Sequence, residues 1–199
     1  MNLREGVAAM GLALPVAAEE KLAAYCSLLA KWNKVYNLTA IRSPQEMLTH
    51  HVLDSLAILP GLTDEESVAD VGSGAGLPGL VLAICQPQLH VTSIEASNKK
   101  AAFQRQAKIE LELDNVSIHC GRVEDVSSVF DAAISRAFAN LADFIRLAGH
   151  LSHRLLAMKG SIPEAEIEHL PAGWRLAKTV ALFVPGLDAE RHLIVLEKT

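Results

Sequence analysis

The sequence predicts an α/β fold: a seven-stranded, mostly parallel sheet that ends in an antiparallel hairpin and carries an N-terminal helical extension. Three observations lead there. From residue 67 onward, short β-branched runs alternate with helical patterns, the signature of a parallel sheet with right-handed crossovers. The first run passes straight into a glycine-rich turn. The last two, near 175–184 and 192–197, are joined through Pro185-Gly186-Leu187-Asp188 with no helix between them, so they should pair antiparallel.

The elements follow in order. Ala23, Leu28, Leu29, Trp32 and Tyr36 recur near helical spacing after Pro15. A second helix should start at Ser43-Pro44-Gln45-Glu46, where Ser43 and Glu46 can cap each other's amides and Pro44 suits the first turn. Its apolar residues Met47, Val52, Leu56 and Leu59 run to a stop at Pro60-Gly61. Strands are then expected over 68–71, 91–95, 116–120, 131–135 and 155–159, with helices over 77–85, 99–113 and 141–151. Ser161-Ile162-Pro163-Glu164 reads as another capping box, opening a short helix. No repeat or Pro/Gly/Ser-rich linker divides the chain, so 1–199 reads as one domain, an extension over 1–62 on a core over 67–199.

Composition sets the limits. In 199 residues, half are hydrophobic and the formal net charge is −5, with 18 Lys+Arg against 23 Asp+Glu. That excludes global disorder and argues against coating nucleic acid by bulk charge, but leaves room for a local basic site. Cys26, Cys85 and Cys120 are isolated, without metal-ligand spacing, and read as thiols of a reducing cytoplasm. No metal is expected. No apolar run approaches a membrane span. Arg4 and the apolar stretch over 6–18 imitate a leader, with Val16-Ala17-Ala18 resembling a cleavage site. Glu5 sits against the single positive charge, Gly11 and Pro15 interrupt the stretch, and it continues into a helical pattern.

The turn carries the chemistry. In Asp70-Val71-Gly72-Ser73-Gly74-Ala75-Gly76-Leu77-Pro78-Gly79, three alternate glycines permit positive φ and close approach of a ligand. Residues 74–79 match G-x-G-x-x-G, a dinucleotide fingerprint, but the strand ends at Val71, so the first tight-turn glycine should be Gly72. Asp70 just before the turn suits a ligand whose near end is a cationic amino acid rather than a pyrophosphate. Glu95 ends the next strand, where a carboxylate can accept from two ribose hydroxyls. S-adenosylmethionine (AdoMet) has a ribose, an adenine and an amino-acid tail but no phosphate, which favours a Rossmann-like methyltransferase over a nicotinamide dehydrogenase.

Seven blocks then make the chain recognisable: Lys31-Trp32-Asn33-Lys34-Val35-Tyr36-Asn37-Leu38-Thr39, His51-Val52-Leu53-Asp54-Ser55, the turn over 70–79, Arg122-Val123-Glu124, Ser135-Arg136-Ala137-Phe138, Lys159-Gly160 and Arg191-His192-Leu193. Together they resemble, over essentially the whole chain, the bacterial glucose-inhibited-division-B (GidB, RsmG) family of AdoMet-dependent guanosine-N7 methyltransferases of 16S rRNA. The resemblance implies a Rossmann-like class I methyltransferase fold. It also implies that Gly72, Gly74, Gly76 and Leu77 line the methionine part of AdoMet, that Glu95 holds the ribose, that Val123 and Glu124 frame the adenine, and that Arg136 lies beside the methyl donor. One departure is His50, where the family commonly has Arg or Lys.

Guanine N7 carries a free lone pair and no proton, so alignment rather than a general base is required. Accordingly there is no Asn/Asp-Pro-Pro-aromatic signature after the fourth strand and no cysteine where cytosine-C5 enzymes place their nucleophile. Arg136 and Lys159 are the candidate positioning residues, and Lys34, Asn37, His51, Arg122 and Lys159 the candidate RNA contacts, with 16S rRNA or the small ribosomal subunit as partner to a monomer. Other readings stay open. Arg136 could form a structural salt bridge, Trp32 and Tyr36 could be core, and Asn33 and Asn37 could shape a helix end. His51 and Asp54, one turn apart, could form a local hydrogen bond or help position RNA. Lys99, Lys100, Arg105 and Lys108, like Glu164, Glu166 and Glu168, read as solvated faces. The methyl acceptor could also be a small molecule or a protein, or the chain a non-catalytic ribosome-binding module.

Overall fold

The computed structural model describes residues 1–62, 64–136 and 138–199. The N-terminal part is helical. α1 (Leu3–Ala9) opens with a capping box in which Asn2 Oδ1 accepts from Glu5 N–H and Glu5 accepts from Asn2 N–H, both at 2.9 Å. α2 (Ala18–Tyr36) ends where Asn37 turns left-handed, φ 50°, a conformation Asn tolerates. Asn33 is buried and fixes the chain beyond: its amide donates to Ile41 O at 3.0 Å while its oxygen accepts from Thr39 N–H at 2.9 Å.

The predicted second helix is one continuous helical run with a change of pitch. α3 (Pro44–Met47) is capped by Ser43 from one side only, its Oγ 3.5 Å from Glu46 N. A π-helical stretch (Leu48–Leu53) follows, and then α4 (Asp54–Leu56). The extra residue per turn re-aims the side chains that follow it, which matters for His51 and Asp54. A 3₁₀ turn over Leu59–Gly61 closes the run at the expected Pro-Gly stop.

The sheet comprises β1 (Ser67–Val71), β2 (His90–Glu95), β3 (Val116–Cys120), β4 (Ala132–Ser135), β5 (Arg154–Lys159), β6 (Trp174–Ala181) and β7 (His192–Lys198). Their order is β3-β2-β1-β4-β5-β7-β6. The first five are parallel. β7 runs antiparallel to both β5 and β6, inserted between them. Because Lys159 pairs with His192 across β5 and β7, Arg191 arrives at the edge where the parallel strands end.

Helices α5 (Gly79–Cys85), α6 (Asn98–Glu110), α7 (Leu141–Ala148) and α8 (Glu164–Glu168) complete the chain. Alternate strand residues serve opposite faces, as a period of two requires. Val68, Val91, Ile134, Leu156 and Val195 face one core with α2, α5 and α6, whereas Ala69, Ile94, Ala133, Leu155 and Leu196 face a second core with α7. Val7, Leu22, Leu29, Leu53 and Leu56 of the extension join the first core. The Ser161–Glu164 capping box does not form: Pro163 immediately precedes α8 and no side chain caps it. Glu166 is instead drawn to α7, its Oε2 accepting from Leu141 N–H at 2.6 Å. It is thus not the solvated residue expected.

Candidate functional site

The site begins at the carboxyl end of β1. Gly72, Gly74 and Gly76 all take positive φ, 69°, 59° and 84°, so the spacing read from sequence is a conformational requirement. They do different work. A Cβ on Gly74 would stand in open space, leaving backbone bare towards a cavity, whereas one on Gly76 would come within 2.4 Å of Leu80 Cδ1. Gly72 N–H ties the turn to Ile94 O at 3.0 Å.

Beneath the turn, Asp70 is fully buried and its Oδ2 accepts from Gly79 N–H at 2.7 Å, inside the helix-start geometry of α5. A Cβ on Gly79 would lie 2.6 Å from that same oxygen. Burial pushes the Asp70 carboxyl up to about 7, the Gly79 hydrogen bond and the Arg136 charge opposing. Its Oδ1 has no hydrogen-bond partner among the described residues. Asp70 therefore braces the turn from below rather than facing a ligand's cationic end on its open side.

Glu95, 8% exposed, spans the turn and the start of the next helix. Its Oε2 accepts from Gly74 N–H at 2.8 Å and its Oε1 from Ser97 N–H at 2.7 Å. Each oxygen keeps a second lone pair for a ligand hydroxyl. Two supports were not foreseen. Gln104 donates from its amide nitrogen to Ser73 Oγ and Gly74 O, both at 2.8 Å, in a buried cluster with Ser93. Tyr25 of α2 donates its hydroxyl to Ala75 O at 2.8 Å, so the helical extension buttresses the turn directly.

Three cavities adjoin along this edge. One of about 410 Å³ lies beyond Gly72 among Ile94, Val123, Glu124, Phe138 and Arg146. One of about 230 Å³ lies over Gly72, Gly74 and Leu77, walled by Thr39, His51 and Arg136. The third, about 390 Å³, is bounded by His50, His51, Asp54, Arg136, Lys159 and Arg191. Gly72 lines the first two, and His51 and Arg136 line the second and third. The result is a trough with an apolar end, a backbone-lined middle and a cationic end.

Arg136 follows β4. Its Nη1 donates to His50 O at 2.8 Å and to Asp54 Oδ2 at 3.0 Å. Asp54 Oδ1 accepts from Arg191 Nε at 3.0 Å. His51 is 5% exposed and lies 2.9 Å from Thr39 Oγ1 through its Nε2. Burial, reinforced by Arg136, pushes its pKa down to about 4, so it stays neutral near pH 7.

The sequence profile of the GidB family, described as rRNA small subunit methyltransferase G, matches residues 18–194. The chain belongs to the GidB family. A relative from Azoarcus sp. (strain BH72), named ribosomal RNA small subunit methyltransferase G, is 55% identical over 202 residues, covering 99% of this chain and 95% of that one. Another of the same name, from Neisseria meningitidis serogroup C (strain FAM18), is 50% identical across 99% and 97% of the two chains. Solved structures confirm the fold of a Rossmann-like methyltransferase. TrmN from Thermus thermophilus superposes with a TM-score of 0.59 at 20% identity, covering 73% of this chain and 48% of that one. M. jannaschii TYW2 in complex with AdoMet gives 0.53 at 16% identity, covering 74% of each.

Within this GidB-family frame, the sequence-derived residues fall into three groups. Gly72, Gly74, Leu77, Val123, Glu124 and Arg136 line the trough, with Glu95 locked to Gly74 beside it. Asp70 and Gly76 support the turn from beneath. The expected cationic rim is mostly paired: Arg122 with Glu124 at 2.7 Å, Arg136 with Asp54, and Lys159 with Glu166 at 3.3 Å. Lys159 also donates to Ala139 O at 2.8 Å. Lys34 is exposed and has no ion pair among the described residues, and Asn37 is engaged by Arg42 at 2.9 Å.

The possible His51–Asp54 hydrogen bond does not form, because His51 turns to Thr39 and Asp54 to two arginines. Trp32 is half-buried against Phe103, ring centroids 5.8 Å apart, while Tyr36 is 44% exposed. Lys99 is not merely solvated, since it donates to Tyr36 O at 3.0 Å. Ala137 of the Ser135-Arg136-Ala137-Phe138 block lies outside the described residues. Sequence reasoning passed over Arg191 as a site residue and offered Asp54 only beside His51, as a local hydrogen-bond partner or an aid to positioning RNA, although both sat within blocks that carried the family resemblance.

Proposed function

We propose that this protein transfers the methyl group of AdoMet to N7 of a specific guanosine in 16S rRNA. The observation that carries the reading is the meeting of two cavities at Arg136 and His51, in a chain that belongs to the rRNA small subunit methyltransferases G.

The residues present fit AdoMet. Gly74 leaves open space above its Cα, and Glu95 retains acceptor capacity for ribose hydroxyls. Val123 and Ile94 offer an apolar surface for adenine, with Glu124 at its rim. Gly72 and Leu77 line the methionine end. Bound AdoMet supplies an electrophilic methyl group. The chain's own contribution is to hold the acceptor base in line with it, which by itself accounts for several kcal/mol of barrier.

Acid–base equipment is sparse where the cavities meet, as N7 chemistry allows. Asp54 is committed to two guanidinium groups, and a histidine with a pKa of about 4 is a weak proton acceptor at neutral pH. Arg136 and Lys159 act by position. Lys34, Asn37 and Arg122 supply outer contacts to RNA, while His51, buried and neutral, shapes the wall instead of meeting a phosphate. The chain works as a single unit and as a monomer in the cytoplasm, where its ribosomal substrate is assembled. Among the described residues no helix is long and apolar enough to cross a membrane.

The test is labelled methyl transfer to small-subunit RNA from cells lacking this gene, followed by mass mapping of the product. N7-methylguanosine at a single 16S position is expected. Labelling of a small molecule or a protein with the RNA untouched overturns the reading.

A further inference from the structure

We propose that Asp54 is a positioning residue for the methyl acceptor: one buried carboxylate that holds two guanidinium groups, Arg136 and Arg191, in the wall of the cavity that receives the base. The inference rests on the functional reading above and deepens it on the acceptor side.

The geometry is a bridge. Asp54 is 3% exposed and spends one oxygen on each arginine, at 3.0 Å in both cases. Each arginine has a second anchor, Arg136 Nη1 on His50 O and Arg191 Nη1 on Glu190 O, both at 2.8 Å. In each, Nη2 makes no hydrogen bond among the described residues, and both side chains line the 390 Å³ cavity while about a quarter exposed, 24% and 25%. A guanidinium is a rigid planar fork, so fixing one edge fixes the direction of the donors on the other. Guanine presents O6, a hydrogen-bond acceptor, beside N7. Spare donors held in this wall suit that edge.

Charge gives the carboxylate a second purpose. Methylation at N7 makes the base cationic. Two guanidinium groups alone would present +2 to a base that is gaining positive charge, whereas with Asp54 the trio carries +1. The buried carboxylate therefore matters more as the reaction proceeds than when RNA first binds, and its loss should appear in kcat before KM. The trio joins three distant places: the π-helical run that delivers Asp54, the end of β4, and the chain entering β7.

The experiment uses the full chain with small-subunit RNA lacking the modification, comparing wild type, Asp54→Asn, Arg191→Gln and the double variant. Each single variant should lower kcat about ten- to hundredfold, with KM for RNA and the calorimetric Kd for AdoMet both within about threefold of wild type. The double variant should fall no further than the worse single one, because the two groups act as a unit. Kcat within about threefold of wild type in folded Asp54→Asn, or losses that multiply in the double variant, overturns the proposal. If circular dichroism shows Asp54→Asn unfolded, Arg191→Gln decides: a kcat loss with AdoMet affinity kept supports the proposal, and unchanged kcat overturns it. A wild type that leaves RNA unmethylated overturns the functional reading and this proposal with it, whereas harmless variants of an active wild type overturn this proposal alone.

Discussion

The two ends of the trough are built by different means. The proposed cofactor side is made of backbone: a turn of three positive-φ glycines in which the Glu95 carboxylate holds Gly74 N–H and Gln104 the Gly74 carbonyl, with Asp70 holding Gly79 N–H at the helix start just beyond. The acceptor side is made of side-chain charge, in which Arg136, Arg191 and Lys159 each meet a carboxylate, Asp54 or Glu166. A backbone cradle tolerates little change in any residue that shapes it, because the conformation itself is the binding surface. A network of ion pairs is set by partners, so single substitutions should separate binding from turnover without collapsing the fold.

The strongest way to break that contrast is Gly76→Ala. A residue with φ of 84° and a Cβ within 2.4 Å of Leu80 combines backbone strain with overpacking. We expect a loss of roughly 2–5 kcal/mol of stability by urea denaturation. A loss below about 1 kcal/mol would mean that the turn is more adaptable than its geometry implies. Glu95→Gln is next. It keeps the shape but places an amide nitrogen against Gly74 N–H or Ser97 N–H, so calorimetry should show AdoMet bound about ten- to hundredfold more weakly. Affinity for RNA should be unchanged, which would sharpen the separation of the two ends.

A smaller effect sets the two sides against each other through pH. Burial raises Asp70 to about 7, so the folded state holds that proton more tightly than the unfolded chain. Stability from this group therefore falls as pH rises from about 4 to 7. His51, pushed down to about 4, acts in the opposite sense. The unfolded chain protonates first, so stability is gained as pH rises from about 4 to 6.5 and lost on acidification. In Asp70→Asn only the His51 contribution of this pair remains. The urea midpoint should then climb more steeply with pH across that window than in wild type, and parallel slopes would show that the two groups do not oppose one another.

The smallest effects belong to the outer rim. Lys34→Ala should reduce the salt dependence of RNA binding by about one charge, seen as a shallower slope of log K against log salt. Arg122→Ala should change it less, since Glu124 already neutralises that guanidinium at 2.7 Å. Equal changes would show that Glu124 does not weaken the contact of Arg122 with RNA.

How legible each side was in the sequence follows from the same contrast. Six of the strands were readable to within a residue at either end, because short apolar runs bounded by turn residues mark buried strands without knowledge of neighbours, whereas the half-exposed edge strand expected over 175–184 runs over Trp174–Ala181. Gly72, Gly74, Gly76 and Glu95 were readable for a related reason: their spacing is dictated by the local path of one turn and the strand beside it. Asp54 and Arg191 are far apart in sequence and meet only because β7 inserts beside β5. No local pattern encodes that meeting. The π-helical stretch was equally invisible, since Leu48–Leu53 fits an ordinary helical pattern while its pitch is set by packing. The Ser161–Glu164 misreading shows the converse, a good local motif that does not form because the helix starts one residue after Pro163, which takes the capping position in place of Ser161.

The insertion of β7 between β5 and β6 also sets a timetable for synthesis. β6 emerges from the ribosome before β7 and makes its strand pairing with β7, so it must wait for a partner that is translated later. A nascent chain halted short of residue 191 holds every element of the proposed AdoMet cradle but lacks one arm of the proposed acceptor wall. On that proposal, methyl-donor binding is encoded early in the chain, and competence towards RNA arrives with the last strand.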